Sequence, residues 1–445
     1  MWGAAVTGAL GLFASGSIRA SLGNPLAFGF IALIAAVLLQ LVPLSPIAMR
    51  VVSPSTARFV ETYVELPVNL AQPAAIGTND ARLPSASRPL SVDPRSTVQG
   101  VLFIAALGLL VVGGMAALTP RDVRLLGGGV LVIGLSVALV AIVQRAYGGP
   151  PLGFWAPRFG GGANAVGPFI NRNHFAGWMV MASSVGLGYL MALTSRQFRS
   201  GQPNWRSRIL ALSSHEASQV LLVGLVLSVM ALSVLLSLSR SGIGCGALVV
   251  LGMVLVRAKR RRSRSGLSLA AAVLAVLILG TAGWASVVTV SGRFAAMQDP
   301  GVGGRAALWR DAIEVVRRFP LTGTGLSTYT AVTPFFQADA SSPSADEAHN
   351  DYLQLAAEGG LLVGIPALCL AVLFVREVRR RFHTETSSTS YWMRAGAVSG
   401  LVAIAVQELV EFSLQIPGNA VLFAVLCAIA LHRSDQQGLR EALER

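Results

Sequence analysis

Three side chains of this 445-residue sequence could do chemistry together: Arg240, Arg305 and His349. Arg240 stands in Ser239-Arg-Ser-Gly242, held between two apolar runs, where a charge is costly unless it meets a partner or a bound anion. Arg305 follows Gly303-Gly304 on the first turn of an amphipathic segment, where backbone N–H groups also point at solvent. Guanidinium groups clamp phosphates bidentately. An imidazole, titrating near neutral pH, can take a proton from a hydroxyl. By position alone each residue has a plainer account: snorkelling at a helix end for Arg240, a solvated helix-start charge for Arg305, and a helix-surface histidine for His349.

Other chemistries lack their residues. Of the five histidines only His174 and His349 fall in outer segments, and neither has a metal-binding companion three or four residues on. Asp346-Glu347 could bind a divalent ion, but acids before a helix start more often serve the helix dipole or cap. Gly323-x-Gly325 meets Thr328 where a dinucleotide fingerprint needs its third glycine. P-loop and serine-hydrolase motifs are absent from the sequence. Cys245, Cys369 and Cys427 all sit inside apolar runs and build neither a disulfide framework nor a metal cluster. Neither a metal nor a cofactor is expected.

The elements that must position these residues are membrane helices. Hydrophobic residues make up 53% of the chain and charged residues 13%, about half the usual charged share. Eleven runs approach the ~20 apolar residues that a spanning helix needs. They cover 3–18, 25–45, 98–118, 125–144, 174–193, 218–238, 242–256, 266–287, 359–375, 395–411 and 417–431. The expectation is an all-α, polytopic integral membrane protein of about eleven transmembrane helices (ten to twelve), folded as one membrane domain over 1–445. Outer loops are expected at 51–97, 145–173 and 288–358, with a cytoplasmic tail at 432–445. With the loops assigned in alternation, 21 of the 35 Lys/Arg and the whole net charge of +14 fall on one side. That side is the cytoplasm by the positive-inside rule. The basic run 257–264 is better matched to anionic lipid than to nucleic acid. An odd count with an inner tail puts Met1 outside, unless the first run does not span or a helix precedes it.

Loop 51–97 is expected to be loose, with one amphipathic turn around 57–70. The 145–173 loop is glycine-rich and ends in Asn171-Arg172-Asn173-His174. The longest, 288–358, contains an amphipathic helix over 306–319 whose apolar stripe is Leu308, Ala312, Ile313, Val316 and Phe319. Pro320 ends it, Gly323-Thr-Gly325 turns the chain, and a second helix begins near His349-Asn350. Two arginines and a histidine on one face, close to lipid, suit a diphosphate-linked lipid substrate.

Four segments carry a resemblance. They are Asn171-Arg-Asn-His-Phe-Ala-Gly177, Ser239-Arg-Ser-Gly242, Gly304-Arg-Ala-Ala-Leu-Trp309 with Pro320-x-x-Gly-x-Gly325, and His349-Asn-x-Tyr-Leu-Gln354 with Glu358 and Gly360. From about Gly100 to His432 the chain resembles the O-antigen ligase and O-antigen polymerase superfamily of polytopic membrane glycosyltransferases. In the ligases the last segment reads His-Asn, nine residues, Gly, two residues, then Gly, Thr or Tyr. Gly360 fits, while Val363 stands at the final position, a departure that bears on ligase against polymerase rather than on membership. The resemblance implies a fold related to the C-type glycosyltransferases and metal-independent transfer of glycan from undecaprenyl diphosphate, on the periplasmic face of a bacterial inner membrane. The acceptor would be lipid A core or another sugar. Arg240 and Arg305 would bind the diphosphate and His349 would activate the acceptor hydroxyl, supported by Asn171, Arg172, His174 and Asn350. A polymerase of the same superfamily is the alternative. A lipid-linked glycan transporter is less well matched, because transporters carry ionisable residues near the midplane and these runs are almost free of charge. An inactive scaffold for envelope assembly is the third class.

Overall fold

A computed structural model of the chain describes residues 2–14, 23–65, 87–147, 166–197, 215–261, 302–337 and 346–434. The apolar run 266–287 lies outside the described residues, as do most of the glycine-rich 145–173 loop and most of the tail. In chain order the helices used below are α1 (Trp2–Ala14), α2 (Pro25–Leu39), α3 (Pro46–Val52), α4 (Pro54–Val60), α5 (Pro94–Ala117), α6 (Pro120–Tyr147) and α7 (Arg172–Gln197). They continue as α8 (His215–Leu236), α9 (Arg240–Arg261), α10 (Val302–Arg318), α11 (Tyr329–Val332), α12 (Asp351–Thr384), α13 (Ser388–Gln407) and α14 (Pro417–Leu431). One short antiparallel pair, β1 (Pro43–Leu44) with β2 (Arg88–Pro89), is the sheet among the described residues.

The protein is all-α and built for a membrane. Six helices, α5, α6, α7, α8, α9 and α12, are long and apolar enough to cross one. Helices α2 and α14 have 15 residues each, about 22 Å at 1.5 Å per residue, short of a ~30 Å hydrocarbon core. Helix α13 has the length, at 20 residues, but its first two turns are polar. Starts are encoded locally. Asn24, Ser45 and Ser387 accept a backbone N–H as side-chain caps. Asp93 caps α5, and its hydrogen bonds from Ser96 hold its carboxyl below the usual range. Proline stands in the first turn of α2, α3, α4 and α14, where its missing N–H costs nothing.

The described residues fall into two compact units, one within 22–108 and 300–375, the other within 2–21, 109–299 and 376–445. Helices α5 and α12 contribute to both. In the first unit Leu33, Ala36 and Val37 of α2 pack with Leu326 and Val363. A second cluster joins Phe59, Ala312, Val315, Phe319, Tyr329, Val332, Ala348 and Ala357. Within the segment expected to be loose apart from one amphipathic turn around 57–70, α4 and the π-turn after it are ordered, bury Phe59 and bring Phe59 and Tyr63 against Phe335.

In the second unit α7 is the central helix, packed by α6, α8, α9, α13 and α14. Its seam with α13 is made of small residues. A Cβ at Gly396 would lie 2.5 Å from Ser184 O, and one at Gly188 would lie 2.6 Å from Trp392 O. Such close backbone approach is how helices associate where lipid removes the hydrophobic drive. Arg394, 1% exposed, sits inside this unit. It pairs with Glu385 at 2.7 Å and donates to the carbonyls of Ala430 and His432, both at 2.9 Å. Two of its donors thus serve carbonyls at the end of α14, where a helix leaves such groups without an intrahelical partner.

Candidate functional site

The first unit is organised by a kink. Helix α12 breaks at Gly360, whose φ of 54° and ψ of −157° suit only glycine. The turn after α10 fills the break. Thr324 N donates to Ala357 O and Gly325 N to Glu358 O, while Leu361 and Leu362 N–H groups donate to Pro320 O and Leu321 O. Both broken ends of α12 are thereby satisfied. Gln40, fully buried beyond the end of α2, donates to Thr322 O and Glu358 O and accepts from Leu326 N. Glu358 reaches back, accepting Ser327 N at 2.7 Å and Tyr329 N at 3.1 Å. Gly323 (φ 64°) has no room for a side chain, since a Cβ would lie 2.1 Å from Glu358 O. The Pro320–Gly325 and Glu358–Gly360 segments are therefore one structural device.

That device carries His349. Asn350 caps α12, its Oδ1 accepting Leu353 N at 3.0 Å. One residue earlier His349 takes φ 51°, a left-handed conformation rare outside glycine. Two contacts enforce it. Ala348 is fully buried in the aromatic cluster, and its N–H donates to Gln354 Oε1 at 3.0 Å. Gln354 Nε2 in turn donates to Glu347 and to Glu358. The His349 ring is half-buried with Nδ1 covered. Glu347 is pushed up to about 6, first by burial and then by Asp351 and Asp346, against the opposing Gln354 hydrogen bond and His349 charge. Arg305, half-buried, lies on the first turn of α10. That helix buries Ala312, Val315 and Phe319, whereas Ile313 is 39% exposed and Asp311 is buried. The buried face is turned by about one residue from the expected stripe, because Phe59 and Tyr329 meet the helix there.

In the second unit the segments 171–174 and 239–242 lie side by side. Asn171 Oδ1 accepts Asn173 N at 2.8 Å and caps α7. Ser239 Oγ accepts Gly242 N at 3.2 Å and caps α9, after Leu238 turns through φ 56°. Ser239 Oγ donates to Asn173 Oδ1 at 2.8 Å, joining the two caps. Arg240 is the first residue of α9 and is exposed rather than enclosed by the flanking helices. Arg172 is half-buried. His174 is 6% exposed, its ring 4.5 Å from that of Phe412 in an edge contact.

The expected site residues thus form two groups, Arg305, His349 and Asn350 in one unit and Asn171, Arg172, His174 and Arg240 in the other. Among the described residues no cluster of three or more His, Cys, Asp or Glu could hold a metal. Residues 223–368 match the family model of O-antigen ligase. That stretch is similar to O-antigen ligase. The match spans Ser239-Arg240, Arg305, the Gly323–Gly325 turn, His349 and the Gly360 kink, and it supports membership of the O-antigen ligase superfamily. No curated protein matches the chain. Sequence reasoning gives no role to Gln40 or Glu411, although Gln40 is a polar residue within the apolar run 25–45 and Glu411 closes the run 395–411.

Proposed function

We propose that this protein is a membrane glycosyltransferase of the O-antigen ligase type. It transfers glycan from undecaprenyl diphosphate to a hydroxyl of lipid A core or another sugar, on the periplasmic face of a bacterial inner membrane. The observation that supports this best is the backbone at His349. A left-handed residue costs of order 1–3 kcal/mol and persists only where its surroundings enforce it, and Gln354, Asn350 and Ala348 do so within the family-matched segment. Strain of that kind gathers at sites of function.

In the proposed step the acceptor oxygen attacks the anomeric carbon of the donor sugar. The C–O bond to the diphosphate breaks, and undecaprenyl diphosphate leaves with the electron pair. The hydroxyl proton passes to His349, through Nε2 because Nδ1 is covered. The neighbouring Glu347 carboxylate stabilises the imidazolium so formed. Arg240 and Arg305 are assigned to the donor phosphates, whose charge grows as the bond breaks, so preorganised guanidinium groups lower the barrier without an acid. Asn171, Arg172, His174 and Asn350 support the site, the two asparagines through their caps. No metal is needed for this route.

Purified protein given undecaprenyl-diphosphate glycan and lipid A core should form the glycosylated acceptor and release undecaprenyl diphosphate, equally well with EDTA. Product elongated on the donor lipid itself would instead make the enzyme a polymerase. No turnover with any lipid-diphosphate glycan would refute the reading.

A further inference from the structure

Glu411 is fully buried in the short connection between α13 and α14, and Asn173 joins it to the start of α9. Asn173 Nδ2 donates to Glu411 Oε1 at 2.7 Å, and its Oδ1 accepts from Ser239 Oγ at 2.8 Å. Ser239 Oγ accepts the Gly242 N–H at 3.2 Å, and Arg240, the first residue of α9, lies between the two. Gln407 holds the same asparagine from the other side, Nε2 donating to Asn173 O at 3.0 Å.

The relay has a direction. A carboxylate accepts and does not donate, so Glu411 admits only the NH₂ side of the Asn173 amide. The amide oxygen is then turned to Ser239, which must donate its one hydroxyl proton there. That leaves the Ser239 lone pair for the first turn of α9. Reversing the amide would set its oxygen against the carboxylate in a buried place, where an unsatisfied charge is expensive. One buried acid therefore fixes the cap, and the cap fixes the backbone from which Arg240 projects.

We propose that Glu411 and Asn173 are positioning residues that aim Arg240 at the lipid diphosphate. The inference rests on the assignment of Arg240 to the donor phosphates. It requires that the two residues act through Arg240 and not through overall stability, which a double-mutant cycle separates.

The experiment compares Asn173→Ala, Glu411→Ala, Glu411→Gln and Arg240→Ala, with each of the first two also combined with Arg240→Ala. Donor KM and kcat are measured with undecaprenyl-diphosphate glycan, and thermal stability is recorded alongside. Asn173→Ala and Glu411→Ala should each raise donor KM by about tenfold or more, and in the Arg240→Ala background each should change it by less than about twofold. Glu411→Gln keeps an acceptor for Asn173 and should restore donor KM to near the parental value. Should the alanine variants fail to fold, Ser239→Ala, which removes the cap and its link to Asn173 but leaves the Asn173–Glu411 bond, must show the same coupling. Effects that multiply with that of Arg240→Ala, or an unchanged donor KM, overturn the relay. An Arg240→Ala variant with parental kinetics would instead remove the phosphate assignment on which the relay depends.

Discussion

His349 shows how a site residue can be readable while its support is not. Its type, its place before a helix and its family segment were all visible in the sequence. The residues that hold it were visible only as letters, because Gln354 acts through Glu347, Ala348 and Glu358, and which groups a long amide meets is set by packing. Two expectations follow. Replacing Gln354 with Ala leaves the Ala348 N–H and two carboxylates without their shared partner. A lost hydrogen bond to a charged group is worth about 1.5–3 kcal/mol, so kcat should fall tens-fold with donor KM nearly constant; an unchanged kcat would contradict this role for the amide. The second concerns pH. Glu347 loses its proton near pH 6, raised chiefly by burial, so its charge beside His349 is absent below that pH and present above it. The rate should rise through about pH 6 as this carboxylate ionises. In Glu347→Gln, which mimics the protonated form at every pH, that limb should disappear from the pH–rate profile. Arg240 opens α9 and is exposed, a place that suits the plainer account of a helix-end arginine as well as a phosphate ligand.

Apolar runs located the helices well, since ten of the eleven overlap described helices. They served less well for the ends. The run 25–45 stops being helical at Leu39 because Gln40 is committed to Thr322, Leu326 and Glu358, 282 to 318 residues on. The run 395–411 ends at Gln407, where Glu408 turns to accept Ser413 N. The amphipathic pattern of α10 fixed its existence but misplaced its face by one position, because Ile313 and Val315 are equally apolar and only tertiary contact distinguishes them. The kink in α12 is the element on which the account leans. A Cβ at Gly360 would lie 2.5 Å from Gly323 N and 2.8 Å from Leu321 O, at a φ that side chains avoid. Gly360→Ala should therefore destabilise the protein by roughly 2–4 kcal/mol. Thermal unfolding in detergent measures this, and a melting temperature within a degree or two of the parent would argue against a locked kink.

For the whole molecule, composition alone announced a membrane protein, and six helices have the length and apolarity to span. The proposed sidedness rests on charge: under the expected alternation of loops, the run from Arg257 to Arg264 and the arginines of 376–394 fall on the side that holds all of the net +14. Cysteines placed at the exposed positions Ala306 and Thr384, in a chain lacking Cys245, Cys369 and Cys427, should react with an impermeant thiol reagent from opposite sides of the membrane, Ala306 from the periplasm. Reaction of both from one side would reverse the proposed orientation. What no sequence pattern could supply is the pairing of distant polar residues inside each unit: Arg394 with Glu385 and the α14 carbonyls, Gln40 with the α10 turn, Asn173 with Glu411. Each is a buried polar group whose partner is set by the fold rather than by spacing.

The central claim is that His349 takes the acceptor proton during transfer from a lipid diphosphate. It is tested most directly by comparing purified parent and His349→Ala protein, with undecaprenyl-diphosphate glycan binding measured beside the rate of transfer. A positioned base contributes about 10²–10⁴-fold, so the variant should bind donor as the parent does and transfer at no more than about a hundredth of its rate. Transfer at more than about a tenth of the parental rate, with donor binding intact, would contradict the account.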